Sequence, residues 1–173
     1  LVLGFSPSSV PLQKRWRNNG LSADFIADYL TTFFPVKDID PSSGRRNAEI
    51  RSAVNYIANE LLENAMKFND DSTAIGISIQ LQLYPDRLIF LATNTIKPFD
   101  IKRFQSTIED LVTQDPNDLF LQRVEANTSD SKSSGLGLIT MLNDYLTRLG
   151  WKFETLSNSP ETTTVTTMVQ LLI

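Results

Sequence analysis

Between residues 47 and 83 the apolar residues change their period once, and that switch limits the fold more than any other feature of the chain. Ile50, Ala53, Val54, Ile57, Ala58, Leu61, Leu62 and Ala65 recur in steps of three and four, which describes one buried face of a helix over about 47–68. From Ile75 the period becomes two. Ile75, Ile77, Ile79, Leu81 and Leu83 alternate with Ser78, Gln80 and Gln82, the pattern of a half-buried strand. Tyr84-Pro85-Asp86-Arg87 reads as a turn, with proline pre-set for its second position. The run RLIFLATN then predicts a more central strand buried on both faces. A long helix therefore precedes an antiparallel hairpin.

The flanking segments extend this pattern. LSADFIADYLTTFFP spaces Phe25, Ile26, Tyr29, Leu30, Phe33 and Phe34 as a helix capped by Ser22 and stopped by Pro35. Its aromatic stripe is expected to pack in the core, with a dimer or partner surface as the alternative. FDIKRFQSTIEDLV predicts a further helix. The polar stretch TQDPNDLFLQRVEANTSDSKSSG predicts a long, lid-like loop. LGLITMLNDYLTRLG predicts a helix ending at Gly150, and WKFETLSN and TTTVTTMVQLLI predict two closing strands joined by a turn at Ser159-Pro160. The order implies an α+β fold, a two-layer sandwich with helices on one face of a mixed, mostly antiparallel sheet. Residues 1–44 read as an N-terminal extension and 45–173 as the main domain, together one compact unit.

Composition removes several kinds of chemistry. The chain of 173 residues has no cysteine and no histidine, so disulfides, thiolate catalysis, His-ligated zinc and histidine-dependent triads are excluded. Any general base must be a carboxylate or a less common group such as Lys or Tyr. A net charge of −4 argues against nucleic acid as the main partner. QKRWR, at 13–17, interleaves basic residues with Trp16 and reads as a local anchor. No apolar run reaches the roughly 18–20 residues of a membrane helix. The opening segment has no basic region followed by an apolar one, which with the missing cysteines predicts a cytoplasmic protein.

Two polar constellations remain. On the long helix Glu60, Asn64 and Lys67 share one stripe off the core, with Asn59 and Glu63 beside them. The carboxamide oxygen of Asn64 is a suitable ligand for Mg²⁺, which keeps several waters beside phosphates. Glu60 can accept a proton from an attacking hydroxyl, and Lys67 can neutralise phosphate charge. A solvated helix face uses the same letters. The second constellation is SKSSGLGLITML, where Gly135 and Gly137 let backbone N–H groups approach an anion at the start of a helix. Lys132, Ser133 and Ser134 add a charge and donors.

In this order the two constellations resemble the histidine-kinase-like ATPases, the GHKL superfamily with the Bergerat fold. The resemblance covers roughly residues 45–173. Its N-box corresponds to Glu60-Leu61-Leu62-Glu63-Asn64-Ala65-Met66-Lys67, and its second glycine box to Ser133-Ser134-Gly135-Leu136-Gly137-Leu138. The family likeness implies bound ATP and Mg²⁺, with Asn64 on the metal, Lys67 and the glycine box near the phosphates, and Glu60 as base. The family has an aspartate, in a D-x-G pattern, that recognises the adenine amino group. Here Asn94 stands at that aspartate and Ile96 at the glycine, and Ser133 replaces the first glycine of the second box. An asparagine still accepts from the amino group but loses a charge-assisted bond, worth about 1–2 kcal/mol.

The absence of histidine and of a phospho-acceptor helix separates the chain from sensor kinases. It is more similar to the stand-alone anti-sigma-factor and SiaB-type serine/threonine kinases, and to a group of cyanobacterial regulators. That similarity implies a signalling regulator acting on a small STAS-like switch protein. A homodimer through the N-terminal aromatic helix is a further expectation. The departures at Asn94, Ile96 and Ser133 leave an alternative, a non-catalytic module of the same fold that sequesters a partner or holds another ligand.

Overall fold

The computed structural model describes residues 1–5, 12–34, 41–127, 135–156 and 162–173. Ten elements follow in order: β1 (Val2–Phe5), α1 (Leu12–Thr31), α2 (Pro41–Phe68), β2 (Ile77–Leu83), β3 (Arg87–Ile96), α3 (Pro98–Thr113), α4 (Pro116–Asn127), α5 (Leu136–Asp144), β4 (Arg148–Leu156) and β5 (Thr162–Leu172). The strands form one sheet in the order β1-β2-β3-β5-β4. Every pairing is antiparallel, so the sheet is not mixed.

The expected period switch positions the two layers. Ile79 and Leu81 of β2, Leu88, Phe90 and Ala92 of β3, and Val169 and Leu171 of β5 project from one face of the sheet. Against them pack Val54, Ile57, Ala58, Leu61 and Leu62 of α2, with Leu111 of α3, Leu119 of α4, and Leu138, Ile139 and Met141 of α5. Full burial of one such side chain stabilises by about 1.5–3 kcal/mol. Among the described residues the helices pack on this face only. β3 is central, yet Ile89, Leu91 and Thr93 on its other side are half-buried, so the strand alternates and is not buried on both faces.

Several boundaries differ from expectation for physical reasons. α1 begins at Leu12, ten residues before the expected cap at Ser22, because packing on α2 overrides the weak helix preference of Asn18-Asn19-Gly20. Its core face is Ala23, Ile26, Ala27 and Leu30, where two alanines permit close approach to α2. The aromatics Phe25, Tyr29 and Phe33 are exposed, Phe25 stacked on Tyr29 and Phe33 edge-on to it, so these three lie outside the core, while Phe34 packs against it. β1, which the sequence reading missed, pairs with β2 from Val2↔Gln80 to Phe5↔Ile77. α2 starts at Pro41 rather than near Asn47, with proline in the first turn, where its missing N–H costs nothing.

The expected long loop is a helix for half its length. The Asp115 carboxylate accepts from the N–H groups of Asn117 (2.9 Å) and Asp118 (3.3 Å), Pro116 opens α4, and Leu119 is buried beneath it. α5 ends at Asp144 and not at Gly150. Leu146 takes φ +50°, and both the N–H and the hydroxyl of Thr147 donate to the Met141 carbonyl, which closes the helix before β4 begins at Arg148. Trp151 lies within β4, half-buried against the core, rather than at the start of a strand. Ser159 and Pro160, and the side chain of Trp16, lie outside the described residues.

Candidate functional site

The layers part between α2, the ends of β3 and β5, and the helices α3 to α5. A cavity of about 100 Å³ opens there, room for several waters. Its α2 wall is Leu61, Asn64, Ala65 and Phe68, and its sheet wall is Ala92, Asn94, Ile96, Val165 and Thr167. Gly135 and Leu138 bound it at the start of α5, and Asp100, Arg103, Phe104 and Thr107 of α3 with Arg123 of α4 close the far side. Three expected site residues from three separate stretches, Asn64, Asn94 and Gly135, therefore share one cavity.

Gly135 has φ +123° and ψ −11° just before α5, a left-handed conformation that glycine adopts without penalty. Gly137 serves differently. A Cβ built there would lie 1.9 Å from Oε2 of Glu60 and 2.6 Å from its Cδ. The Glu60 side chain thus rests directly on the first turn of α5, so the N-box and the glycine box touch. Glu60 does not itself line the cavity. Its carboxyl is held above the usual carboxylate range, first by burial and then by the neighbouring Glu63 carboxylate. Glu63 in turn accepts from Asn59 Nδ2 at 2.9 Å. One turn before Glu60, the Tyr56 ring stacks on Tyr145 at 5.2 Å, and its hydroxyl is pushed up by burial, opposed by a hydrogen bond with Thr140.

The remaining expected residues are more scattered. Lys67 is exposed, with its Nζ 5.6 Å from the Phe68 ring centroid, and is not a cavity wall. Leu136 is the first residue of α5 and is half-buried. Lys132, Ser133 and Ser134 lie outside the described residues.

Asn94 is 5% exposed, and its Nδ2 donates to the Thr95 carbonyl at 2.7 Å. A carbonyl can only accept, which fixes which end of the amide is nitrogen. Behind it lies a buried polar cluster that the sequence reading did not find. Asn69, just past α2, accepts through Oδ1 from the N–H (3.2 Å) and hydroxyl (2.9 Å) of Thr95 and donates through Nδ2 to Asp71 (2.9 Å). This cluster ties the end of α2 to β3 and holds Asn94 opposite Asn64. Ile96, 2% exposed, fills part of the sheet wall.

The α3–α4 wall was also missed. Phe68 and Phe104 stack at 6.2 Å, and Phe153 meets Phe104 edge-on at 6.0 Å. Arg123 Nη2 pairs with Asp110 Oδ2 at 2.9 Å, while Gln114 Nε2 donates to the other oxygen at 3.0 Å. A planar ligand with an anionic end suits such a cavity: an aromatic wall, carboxamides on two sides, and two arginines. Among the described residues no group of three or more His, Cys, Asp or Glu is assembled to hold a metal. Asn64 offers one neutral oxygen, which fits a Mg²⁺ that draws its other ligands from phosphate and water.

No protein-family model matches the sequence, and no curated protein is significantly similar to it. Among solved structures, a chain of the SiaB–SiaC complex from Pseudomonas aeruginosa superposes with a TM-score of 0.61 at 13% identity, over 100% of this chain and 89% of that one. At that identity the likeness concerns the fold alone, a two-layer α+β sandwich. The mycobacterial sensor histidine kinase MprB aligns over 70% of this chain and 73% of its own at 18% identity, with a TM-score of 0.37, too low to carry an argument. Among the described residues no helix is long and apolar enough to cross a membrane.

Proposed function

We propose that the chain is a signalling regulator that binds ATP with Mg²⁺ and phosphorylates a serine or threonine of a small, STAS-like partner protein. The observation that carries this reading is the seating of Glu60 on Gly137 beside a cavity walled by Asn64, Asn94 and Gly135. Asn64 would hold the metal, Gly135 to Gly137 with Ser133, Ser134 and Lys67 would attend the phosphates, and Asn94 would meet the base. Mg²⁺ supplies charge neutralisation at the phosphates when bound. In the transfer, the bond from the γ-phosphorus to the ADP oxygen breaks and one to the partner's hydroxyl oxygen forms. The hydroxyl proton passes to Glu60, whose raised affinity for protons suits a general base.

The solved SiaB–SiaC complex is an assembly of two different proteins, which supports a partner-binding role for this fold. The exposed rings of Phe25, Tyr29 and Phe33 support a homodimer or partner contact through α1. Buried Ile96 in the cavity wall favours the second reading, a module that no longer uses nucleotide. A thermal-shift titration separates the two. ATP with Mg²⁺ at 100 times its Kd should stabilise the fold by about 2.7 kcal/mol, and N64A should abolish the Mg²⁺-dependent part. A flat response well into millimolar ATP overturns the nucleotide reading.

A further inference from the structure

We propose that two copies of the chain pair through the outer edges of β1, joining their five-stranded sheets into one and covering the aromatic stripe of α1. The proposal stands apart from the nucleotide reading. Among the described residues nothing pairs with the outer side of β1 or of β4, the two end strands. β4 exposes Arg148, Lys152 and Glu154, charges that deter a further strand. β1, Val-Leu-Gly-Phe, carries neither charge nor proline. Its backbone phase is set by Leu1, which exchanges both hydrogen bonds with Leu81 (3.1 and 2.8 Å). Bonded pairs alternate along an antiparallel ladder, so Leu3 and Phe5 also turn toward β2, and the N–H and C=O of Val2 and Gly4 point outward.

That phase admits a two-fold axis through Leu3. Val2 then meets Gly4 of the second copy as a bonded pair, Gly4 meets Val2, and the two Leu3 side chains face each other on the helix side. The side chains suit this pairing as well as the backbone does. Between β1 and α1 runs a groove of about 330 Å³ lined by Leu3, Phe5, Leu21 and Phe25, which Leu1 and Leu3 of the second copy would enter. The stripe Leu21, Phe25, Tyr29 and Phe33 is 62, 52, 42 and 49% exposed. It runs about 18 Å along α1, past the roughly 13 Å of a four-residue strand. A lone added strand would leave Tyr29 and Phe33 in water; a second copy brings a strand and a matching helix together. A fully covered ring buries about 150–250 Å², so the half still exposed on three rings offers roughly 225–375 Å², about a third to a half of the ~800 Å² per partner in a stable interface. Leu21, Val2 (64% exposed) and the strand edge add to it.

The test is sedimentation of the full chain over a range of concentrations, with V2P and F25S, and oxidation of L3C. The chain has no native cysteine, so L3C carries a single thiol per copy. Expected is a reversible dimer whose Kd rises about tenfold or more in F25S and in V2P, where proline removes an outward N–H and spares the ladder to β2. Residues facing across a non-bonded pair lie about 4.5 Å apart at Cα, within disulfide reach, so L3C should cross-link. L146C, at a 77% exposed position between α5 and β4, should not. A chain monomeric at every concentration overturns the proposal. A dimer that V2P leaves intact, or in which L3C does not cross-link, is joined elsewhere and overturns it too. Weakening by V2P but not by F25S overturns the covering of the stripe. The L3C cross-link decides the matter if V2P does not fold.

Discussion

Gly137 is the position where packing and proposed chemistry meet, and replacing it with alanine gives a prediction in two backgrounds. The backbone at 137 is helical, so alanine brings no backbone strain and gains up to about 1 kcal/mol of helix preference over glycine. In the wild type the new Cβ would fall 1.9 Å from Glu60 Oε2, 2.6 Å from Cδ and 3.2 Å from Cγ. The whole end of the Glu60 side chain must therefore turn away. Forcing it off its rotamer costs about 0.5–1.5 kcal/mol, which roughly cancels the gain. In an E60A background the three nearest opposing atoms are gone, and the helix gain should appear. The cycle G137A, E60A and the double variant, measured by urea unfolding, should give a coupling of about 1 kcal/mol. Each single variant should also lose phosphoryl transfer if Glu60 acts from its present seat. A coupling indistinguishable from zero would falsify the claim that the carboxylate rests on this turn.

Three other outcomes follow from the same geometry. G135A should cost about 1–2 kcal/mol through backbone strain alone, since φ is +123° and an added Cβ meets nothing within 4 Å; a neutral variant in urea unfolding refutes the left-handed cap. T95V removes a hydroxyl 2.9 Å from Asn69 Oδ1 in a fully buried site, so it should cost about 1–3 kcal/mol and weaken ligand binding through Asn94, and a change under about 0.5 kcal/mol in the urea midpoint sinks it. For E60Q the sign comes from linkage: burial and Glu63 raise the folded pKa above its ordinary value of 4.5, so the folded state binds more protons than the unfolded one between those two values. Wild-type stability from this group therefore falls as pH rises from near 4.5 through the folded pKa. E60Q should lack that slope and be the more stable protein at pH 7, which urea midpoints at pH 4 and pH 7 will show; a larger destabilisation at pH 7 contradicts the assignment.

How much of this could be read from the sequence depends on whether a residue's environment is set by its own element. The α2 and β2 periods fixed those elements because eight apolar positions agree with one repeat and five with the other. For α1 the apolar arc is too wide for periodicity to choose a face. The choice went to the side carrying Ala23 and Ala27, where helices can approach closely, and left Phe25, Tyr29 and Phe33 outside. β1 spans four residues, too short to show alternation, and exists only through its pairing with β2. A signal for α4 was present in Asp115-Pro116, a cap followed by a first-turn proline, but the polar composition masked it. Arg103 and Arg123 had no signal, since charges on a solvated face and on a cavity wall look alike.

The N-box stripe shows the same division within a single helix. At about 100° per residue, Asn64 stands nearest the buried arc of Leu61 and Ala65, Glu60 about 40° further round, and Lys67 about 60° further. That rotation alone accounts for Asn64 lining the cavity and Lys67 standing in solvent beside Phe68. It does not account for Glu60, which by its angle belongs near the surface and is half-buried because Gly137 of another helix covers it. The burial that chiefly raises the proton affinity of Glu60 therefore comes with the contact between two helices, and Glu63 of its own helix adds to it. A glycine at 137 is needed here for the room it leaves a carboxylate, whatever its backbone also does for phosphate.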